Sequence, residues 1–320
     1  MLLLCLIYLS NAIEYNFKTW VAKNNKKYSP IEFIYRKQIY ESNLKYVNKH
    51  NLHSEFKLSV NGPYADMTNK EYQQLLKTYN LKNNKYFFKN MSNIKIANSI
   101  DWREKGKVTP IKDQAQCGSC YSFSSVASIE SQYLIDSDLS DYTDLSDYTD
   151  LSEQQIVDCS TKNNGCNGGS LLYVMDYVKK YGLMNEKDYP YTATNGTCKY
   201  DNSKIKIKID KYQTVKQRSE EDLMEALNSH VVAAAIDASH VSFQLYSSGI
   251  YDESKCKSLI LDHGVAVVGY GSENGKDYYI VKNSWGTTWG ENGYIRMSRN
   301  KNNQCGIASG AVYPIKAYKI

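Results

Sequence analysis

The order of patterns along the chain predicts an α+β fold in two halves, preceded by a separate helical segment. Within residues 96–320, amphipathic patterns typical of helices come first, at 119–135, 170–182 and 219–229. Short apolar stretches typical of strands follow, in the order VVAAAID, GVAVVGYG, DYYIVKNSW and GYIRMS. Helices grouped before strands are typical of the α+β class rather than of alternating α/β folds.

The first twelve residues, MLLLCLIYLSNA, are predicted to be a secretory signal peptide cleaved near Ala12. The run is apolar and ends in small residues, and it is too short to cross a bilayer. We therefore expect a chain without a membrane span that enters the secretory pathway. It would reside in a lysosome-like vesicle or outside the cell.

Residues 13–95 form a basic segment that differs in character from the rest of the chain. This segment holds 15 Lys or Arg against 6 Asp or Glu, whereas residues 96–320 hold 24 against 28, so the net charges are +9 and −4. The spacing of apolar residues predicts one long helix over 31–51. Opposite net charges favour association of the two parts. The alternative is an independent nucleic-acid-binding domain, but no base-reading motif is visible, so no nucleic-acid partner is expected.

The sequence LSDYTD occurs twice, at 139–144 and again at 145–150. We interpret it as a duplicated surface loop. Its aspartates lack the spacing of a calcium-binding loop, so no cation site is expected there.

Two cysteines lie three positions apart in DQAQCGSCYSFSS, as Cys117 and Cys120. They could belong to a metal site, form a redox pair, or combine a structural cysteine with a reactive one. Once Cys5 leaves with the signal peptide, seven cysteines remain, and an oxidising compartment leaves at least one of them unpaired. Neither a second cysteine or histidine pair with zinc-ligand spacing nor a thioredoxin-like context is present, so no metal or cofactor is expected. The third alternative is favoured.

Cys120 is the candidate nucleophile because it falls in the first turn of the predicted helix over 119–135. The N–H groups and dipole at a helix N-terminus stabilise a thiolate, which predicts a lowered thiol pKa. Among the histidines of this part, His230 is expected to cap a helix and His240 to lie in a loop. His263 opens a buried strand, where an imidazole could act as the base that activates cysteine.

Three further side chains complete the predicted site. Asn283 follows His263 by twenty residues, a separation that suits a hairpin, and its amide oxygen could accept a hydrogen bond from the imidazole. Trp285 could shield that bond from water. Gln114 and the backbone N–H of Cys120 are candidate donors to an oxyanion.

The motifs around these residues resemble those of the papain-like cysteine proteases of the cathepsin L type. QAQCGSCYSF is similar to the family's nucleophile signature. The resemblance continues through LSEQQIVDC, GCNGG, DYPY, FQLYSSGIY, DHGVAVVGYG and VKNSWGTTWGENGYIRM, over nearly all of 96–320. Because Tyr121 stands where most members carry Trp, the chain is most similar to the amoebic members.

The resemblance implies a papain-like fold with a helical left domain, a β-barrel-like right domain and an active-site cleft between them. It implies a signal peptide at 1–12, an inhibitory propeptide at 13–95 and a peptidase domain at 96–320, with cleavage near Ile96. The family's spaced propeptide positions correspond to Glu32, Arg36, Tyr40, Asn43, Val47 and Asn51. The segment VNGPYADMTNKEY resembles the one that follows in the family, with one extra residue.

The resemblance also implies an endopeptidase that works through a thioester acyl-enzyme, with no metal or cofactor. The implied catalytic residues are Cys120, His263, Asn283 and Gln114. The implied substrate-binding residues are Gly168, Gly169, Leu171, Ala235, Leu261, Gly310 and Trp285. The implied disulfides are Cys117–Cys166, Cys159–Cys198 and Cys256–Cys305. The pocket residues are apolar or small, so Leu, Val or Phe is expected at the P2 position of substrates, and Arg is not.

The partners implied by the resemblance are protein or peptide substrates, the chain's own propeptide as an inhibitor, and cystatin-like inhibitors. We expect a monomer. One alternative is a non-catalytic binding protein on the same fold, although this chain retains the nucleophile. Another is a propeptide that acts alone on other proteases.

Overall fold

The computed structural model describes residues 16–77, 96–137 and 150–320. The predicted signal peptide, nearly all of the LSDYTD repeat and the segment just before Ile96 lie outside the described residues. Within the described residues, no helix has the length and apolar character needed to cross a membrane.

The basic segment folds into helices joined by an extended stretch. Residues 16–23 are helical and are followed by α1 (Pro30–His53), β1 (Lys57–Leu58) and α2 (Asn69–Leu75). Helix α1 is the one predicted over 31–51; its N-cap residue Ser29 accepts a hydrogen bond from the backbone N–H of Glu32. Helix α2 starts with a capping box between Thr68 and Glu71.

The helical half is built around one buried helix. Its helices are α3 (Cys120–Asp136), α4 (Glu153–Cys159) and α5 (Leu171–Tyr181), with a 3-10 turn at Gly165–Asn167. Helix α3 is buried from Cys120 to Leu134 because it packs against α5 on one side and against the large sheet on the other. Helix α5 ends where predicted, at Gly182, whose φ of 80° suits glycine.

The second half is dominated by one eight-stranded sheet. The strands of this part of the chain are β2 (Ile100–Asp101), β3 (Ile207–Ile209), β4 (Tyr212–Thr214), β5 (Val232–Ile236), β6 (Tyr246–Ser248), β7 (Ile250–Tyr251), β8 (His263–Glu273), β9 (Lys276–Lys282), β10 (Tyr294–Ser298), β11 (Gly310–Pro314) and β12 (Ala317–Lys319). The sheet runs in the order β4-β11-β5-β8-β9-β10-β7, with β2 also paired to β8. Strands β3 and β12 pair separately. Two helices, α6 (Glu220–Leu227) and α7 (Val241–Gln244), and 3-10 turns at Asn202–Lys204 and Gln304–Gly306 complete the described chain.

Ser219 caps α6 by accepting from the backbone N–H of Asp222, and its hydroxyl also donates to the Asp222 carboxylate. The prediction that His230 caps this helix needs correction. Its backbone N–H donates to the carbonyl oxygen of Ala226 at 3.0 Å, but its side chain does not cap the helix. Its ring stacks on Tyr313 at 4.6 Å and lies 2.7 Å from the side-chain oxygen of Gln132 on α3, because the chain turns inward after Leu227.

The basic segment docks on the sheet half through backbone pairing and apolar packing. Strand β1 pairs antiparallel with β6. Phe17, Trp20 and Tyr40 belong to the same buried apolar cluster as Trp285 and Trp289 of the sheet half. One ion pair across this boundary joins Lys276 of the acidic part to Glu55 of the basic part, the reverse of the polarity that net charge suggests.

Candidate active site

Cys120 is the first residue of α3 and is the only free cysteine among the described residues. The other six described cysteines form the disulfides Cys117–Cys166, Cys159–Cys198 and Cys256–Cys305, which are the pairings that the resemblance implies. The bridge at Cys117 fixes the turn that leads into α3. The free thiol therefore lies at the start of a helix whose N-terminal end is fixed by a disulfide three residues earlier.

A close approach between α3 and β8 brings Cys120 next to the strand that carries His263. A Cβ atom added at Gly264 would lie 2.9 Å from the carbonyl oxygen of Cys120 and 2.8 Å from the Ser124 hydroxyl. Only glycine allows the helix and the strand to approach so closely.

The imidazole of His263 is held on two sides. Its Nε2 lies 2.7 Å from the Oδ1 atom of Asn283, and its ring lies against Trp285 with centroids 4.6 Å apart. Asn283 follows β9, the hairpin partner of β8, as its sequence separation predicted. The other ring nitrogen, Nδ1, is buried and has no hydrogen-bond partner, so one nitrogen is oriented by the amide and the other is free for proton transfer.

Gln114 is fixed beside the nucleophile. Its Nε2 donates to the carbonyl oxygen of Cys117 at 2.9 Å, and its Oε1 accepts from the Ser284 hydroxyl at 2.7 Å. One of the two N–H groups of the amide is used by the Cys117 contact. The second remains as a candidate oxyanion donor.

Tyr191 was not singled out as a functional residue from the sequence, although it lies in the quoted DYPY motif. Its hydroxyl lies 2.7 Å from the hydroxyl of Ser119 and donates to the carbonyl oxygen of Gln114 at 2.9 Å. The ring packs edge-on against Phe123, with centroids 4.9 Å apart. One hydroxyl therefore links Ser119, the residue before the candidate nucleophile, to Gln114, the candidate oxyanion donor.

The predicted P2 residues come together from four parts of the chain. Leu171, Ala235 and Leu261 are fully buried members of one apolar cluster. Gly310 faces Ala235 directly across the β5–β11 pair. All four residues are uncharged, and their binding of a P2 side chain remains a prediction.

The basic segment covers this site. The backbone N–H of Lys77 donates to the carbonyl oxygen of Asp262, the residue before His263, at 3.0 Å. The Lys77 side chain lies so close to Gly118 and Gly168 that a Cβ added at either glycine would clash with it. Further along the cleft, Tyr64 and Tyr72 pack edge-on against Trp285.

The wall formed by the GCNGG motif is held by Tyr121. The Tyr121 hydroxyl donates to the carbonyl oxygen of Gly165 at 3.0 Å, and its ring edge would meet a Cβ at Gly169 at 2.8 Å. On the other side of this wall, the side-chain oxygen of Asn195 accepts from the backbone N–H of Cys166 at 2.7 Å.

The expected lowering of the Cys120 pKa is wrong for the covered form. Burial raises the thiol pKa to about 11, although the backbone N–H groups of Gly264, Tyr121 and Cys120 act in the opposite direction. Burial also lowers the pKa of the His263 imidazole to about 4. Both shifts favour a neutral thiol beside a neutral ring, because neither charged form is well solvated in this buried site.

The described residues offer one group of potential metal ligands, formed by Asp237, His240 and Cys256. The sulfur of Cys256 is bonded to Cys305, so no thiolate is available there. Asp237 instead pairs with His240 at 3.5 Å, and the pKa of His240 is raised, chiefly by this hydrogen bond.

Comparison with known proteins gives consistent similarities over both parts of the chain. Residues 96–315 match the family model described as papain family cysteine protease, and residues 17–72 match that of the cathepsin propeptide inhibitor domain. Cysteine proteinase 2 of Entamoeba histolytica is 46% identical over 315 residues, covering 97% of each chain. The cathepsin L-like peptidase of Aedes aegypti is 40% identical over 329 residues, covering 96% of this chain and 94% of the relative. The structure of procathepsin L 3 from Tenebrio molitor has a TM-score of 0.84 at 36% identity, covering 94% of this chain and 98% of that one.

Proposed function

The chain belongs to the papain family of cysteine proteases and carries a cathepsin-type inhibitory propeptide, and from this premise we propose that it is an endopeptidase made as a secreted zymogen. The predicted papain-like fold, with its N-terminal propeptide domain, is confirmed by the likeness to procathepsin structures. The observation that carries the proposal is the free thiol of Cys120 at a helix start, beside an imidazole already oriented by Asn283.

In the proposed mechanism, release of the propeptide opens the cleft to water and substrate. A thiolate of Cys120 and an imidazolium of His263 then form, and the sulfur attacks the scissile carbonyl carbon. The oxyanion receives hydrogen bonds from Gln114 and from the backbone N–H of Cys120. His263 gives its proton to the leaving amine, which leaves a thioester, and then takes a proton from the water that hydrolyses it. Asn283 keeps the ring oriented throughout, and no cofactor takes part.

The proposed specificity follows from the apolar cluster at Leu171, Ala235, Leu261 and Gly310. An aliphatic or aromatic P2 side chain would bury its surface there, whereas a P2 arginine would be desolvated without a carboxylate partner. Gly168 and Gly169 are proposed to bind the substrate backbone, and Lys77 now lies against Gly168. Hydrolysis of Z-Leu-Arg and Z-Arg-Arg fluorogenic peptides measures this preference, and faster cleavage of the Arg-Arg peptide would contradict it.

The proposed cellular route follows from the apolar leader. Residues 1–12 would direct the chain into the secretory pathway, residues 13–95 would be removed near Ile96, and residues 96–320 would act as a monomer in a lysosome-like vesicle or outside the cell. Protein substrates and cystatin-like inhibitors are the proposed partners of the processed enzyme.

Labelling with an E-64-type epoxide tests the proposed nucleophile. The processed enzyme should be labelled once per molecule, on Cys120, with loss of peptidase activity. The Cys120→Ala variant should be neither labelled nor active, whereas Ser119→Ala should still be labelled, because Ser119 contributes no reacting atom. Activity retained by Cys120→Ala would refute the assignment and would favour a non-catalytic role for this cysteine.

A further inference from the structure

A cavity of about 400 Å³ lies on the helical half and shares no lining residue with the catalytic site. It is bounded by the outward side of α5, by the chain around the Cys159–Cys198 disulfide and by Tyr200. Four tyrosines and two lysines line it, namely Tyr173, Tyr177, Tyr181, Tyr200, Lys162 and Lys180. Nothing in the proposed proteolytic mechanism uses it.

The tyrosine rings enclose the cavity and are not stacked as a flat platform. Tyr177 and Tyr181 have centroids 5.0 Å apart and planes inclined by 41°, and Tyr200 stands nearly edge-on to Tyr181, at 5.9 Å and 72°. Tyr181 is 38% exposed although it is aromatic. Inclined rings form a concave wall in which Tyr177 is buried and Tyr181 is exposed, and such a wall suits a compact saturated ring whose C–H groups contact the negative faces of the aromatics.

Cationic and hydrogen-bonding groups stand at the same cavity. The Lys180 ammonium lies 4.9 Å from the ring centroid of Tyr181, and that of Lys162 lies 5.5 Å from Tyr173. Lys162 also pairs with Asp176 at 3.2 Å, and both of these side chains are well exposed. The cavity therefore offers ammonium groups to an anion. Asp176 already accepts from the Tyr212 hydroxyl at 2.7 Å, and the Tyr177 hydroxyl accepts from Gln155, but the carboxylate oxygens and the tyrosine hydroxyls have further hydrogen-bonding capacity for the hydroxyls of a ligand.

A row of lysines extends this positive surface beyond the cavity. In residues 204–209 the isoleucines are buried, and Lys204, Lys206 and Lys208 alternate with them on the outer face of β3 and the turn before it. Lys208 approaches the end of α5, where its Cγ would lie 2.9 Å from a Cβ at Gly182, next to Tyr181.

The charge of this region contrasts with that of the domain around it. Segments 160–182 and 198–209 contain seven lysines and two aspartates, a net charge of +5, whereas residues 96–320 as a whole carry −4. A local concentration of positive charge on an otherwise acidic domain attracts polyanions to this face in particular.

We propose that this surface binds an anionic polysaccharide, with one acidic sugar residue seated in the tyrosine-lined cavity and the following residues lying along Lys204, Lys206 and Lys208. Sugar hydroxyls would bond to Asp176 and to the tyrosine hydroxyls, and sulfate or carboxylate groups would face the lysines. The concave wall favours a sugar ring over nucleic-acid bases, which stack on open aromatic faces. This inference does not depend on the proposed catalytic residues.

Fluorescence anisotropy with a labelled heparin hexasaccharide tests the proposal, using the full chain that carries Cys120→Ala so that no cleavage occurs. The hexasaccharide should bind, neutral dextran should not compete, and added salt should weaken binding. Replacing both Lys180 and Lys204 by Gln should weaken binding by roughly fivefold or more, as expected for two partly exposed ion pairs. The matched control, Lys255→Gln with Lys257→Gln on the other half, should leave it unchanged.

A second pair of variants distinguishes the contribution of the cavity to hexasaccharide binding from the contribution of surface charge. Tyr181→Ala should weaken hexasaccharide binding by roughly threefold to tenfold through loss of one aromatic wall. Tyr46→Ala, which removes a propeptide tyrosine of the same 38% exposure, should have no effect. Equal binding by the Lys180/Lys204 variant and the unsubstituted chain, or tighter binding of oligodeoxythymidine than of the hexasaccharide, would overturn the proposal.

Discussion

The Tyr191 hydroxyl has two hydrogen-bond partners, Ser119 and the carbonyl oxygen of Gln114. Both lie in residues 114–120, which we call the nucleophile loop because they include the proposed nucleophile. Tyr191→Phe keeps the ring against Phe123 and removes only these two hydrogen bonds. We expect kcat to fall roughly fivefold to twentyfold with little change in KM, because the oxyanion donor and the thiol would be less well positioned, whereas substrate binding is untouched. Steady-state kinetics of the processed enzyme measures both constants.

Tyr212→Phe is the matched control for this prediction. It also removes one partly buried tyrosine hydrogen bond, to Asp176 at 2.7 Å, on a part of the molecule away from residues 114–120. Its kcat should match that of the unsubstituted enzyme. A kcat for Tyr191→Phe equal to that of Tyr212→Phe would remove Tyr191 from the positioning residues.

His230 should make the fold sensitive to acid. Burial lowers the pKa of its imidazole from the usual 6.5 to about 4, so between these pH values the unfolded chain binds a proton that the folded chain does not. Stability is therefore lost as pH falls through this window, at about 1.4 kcal/mol per pH unit. At pH 7.5, His230→Gln should have the lower free energy of unfolding, because it loses the stacking on Tyr313. At pH 5 the difference in free energy of unfolding between the two proteins should be smaller by about 2 kcal/mol, because only the unsubstituted protein is destabilised by acid at this position.

Denaturant unfolding of both proteins, in the Cys120→Ala background and at the two pH values, checks the His230 prediction. A stability difference that does not change with pH would mean that the ring titrates normally in the folded protein. His263 is present in both chains, so its own lowered pKa cancels in the comparison.

Single residues were predictable from the sequence where their chemistry is rare, and not where their role depends on contacts. A free cysteine, a histidine and an amide at hairpin spacing could be selected as candidates before any fold was known. Ser284 and Tyr191 could not, because a hydroxyl gains its role from whichever carbonyl or amide the tertiary fold places beside it. The thiol pKa was predicted in the wrong direction for the same reason: the helix terminus is visible in the sequence, but burial in the tertiary fold is not.

At the scale of elements, the short propeptide strand β1 pairs with β6, and the propeptide chain beside this pair packs closely against Gly249. Gly249 has a φ of 89°, and a Cβ there would lie 2.9 Å from the Cα of Phe56 in the propeptide. Gly249→Ala should loosen this contact in the full chain, and we expect Cys120 to be labelled by epoxide at least roughly fivefold faster at neutral pH.

The chain contains a matched control for the strain of alanine at positive φ. Gly275, in the turn between β8 and β9, has a φ of 76° and no atom within 4 Å of its added Cβ. Gly275→Ala should carry a similar backbone penalty and leave the labelling rate of the zymogen unchanged. Equal acceleration in both variants would show that backbone strain, and not the propeptide contact, controls access to Cys120.

Long periodic elements were predicted well, and two-residue strands were not. Helices α1, α3, α5 and α6 begin and end within a few residues of their predicted bounds. Helices α5 and α6 have a repeating apolar face, and α1, α5 and α6 have a recognisable cap or stop. Strands β1 and β2 are too short to show alternation. They exist only because a neighbouring strand offers backbone groups to pair with, which is a property of the tertiary fold.

For the whole molecule, net charge predicted that the two parts attract, but it did not predict how they bind. The described interface is formed by backbone pairing at β1 and by an aromatic cluster shared between Trp20, Tyr64, Tyr72 and Trp285. The close ion pair between Glu55 and Lys276 has the reverse polarity. Burial of apolar surface is non-directional and large, so it dominates the docking, whereas net charge acts mainly on the rate of encounter.

We expect the same docking to keep the proposed nucleophile inactive. In the full chain Cys120 and His263 are buried, and their shifted pKa values favour a neutral thiol and a neutral imidazole, so the proposed ion pair would form once water enters the cleft. The propeptide is thus expected to act on the protonation state of the site as well as on substrate access.

Ultraviolet absorbance of the Cys120 thiolate, measured against pH in the full chain and in the processed enzyme, tests this most directly. The Cys120→Ala protein supplies the baseline for each form. We predict that the thiolate of the full chain appears only in alkaline solution, with a pKa of about 11, whereas in the processed enzyme it is present already in mildly acidic solution. The same titration midpoint in both forms would contradict the claim that the propeptide controls the charge of the nucleophile.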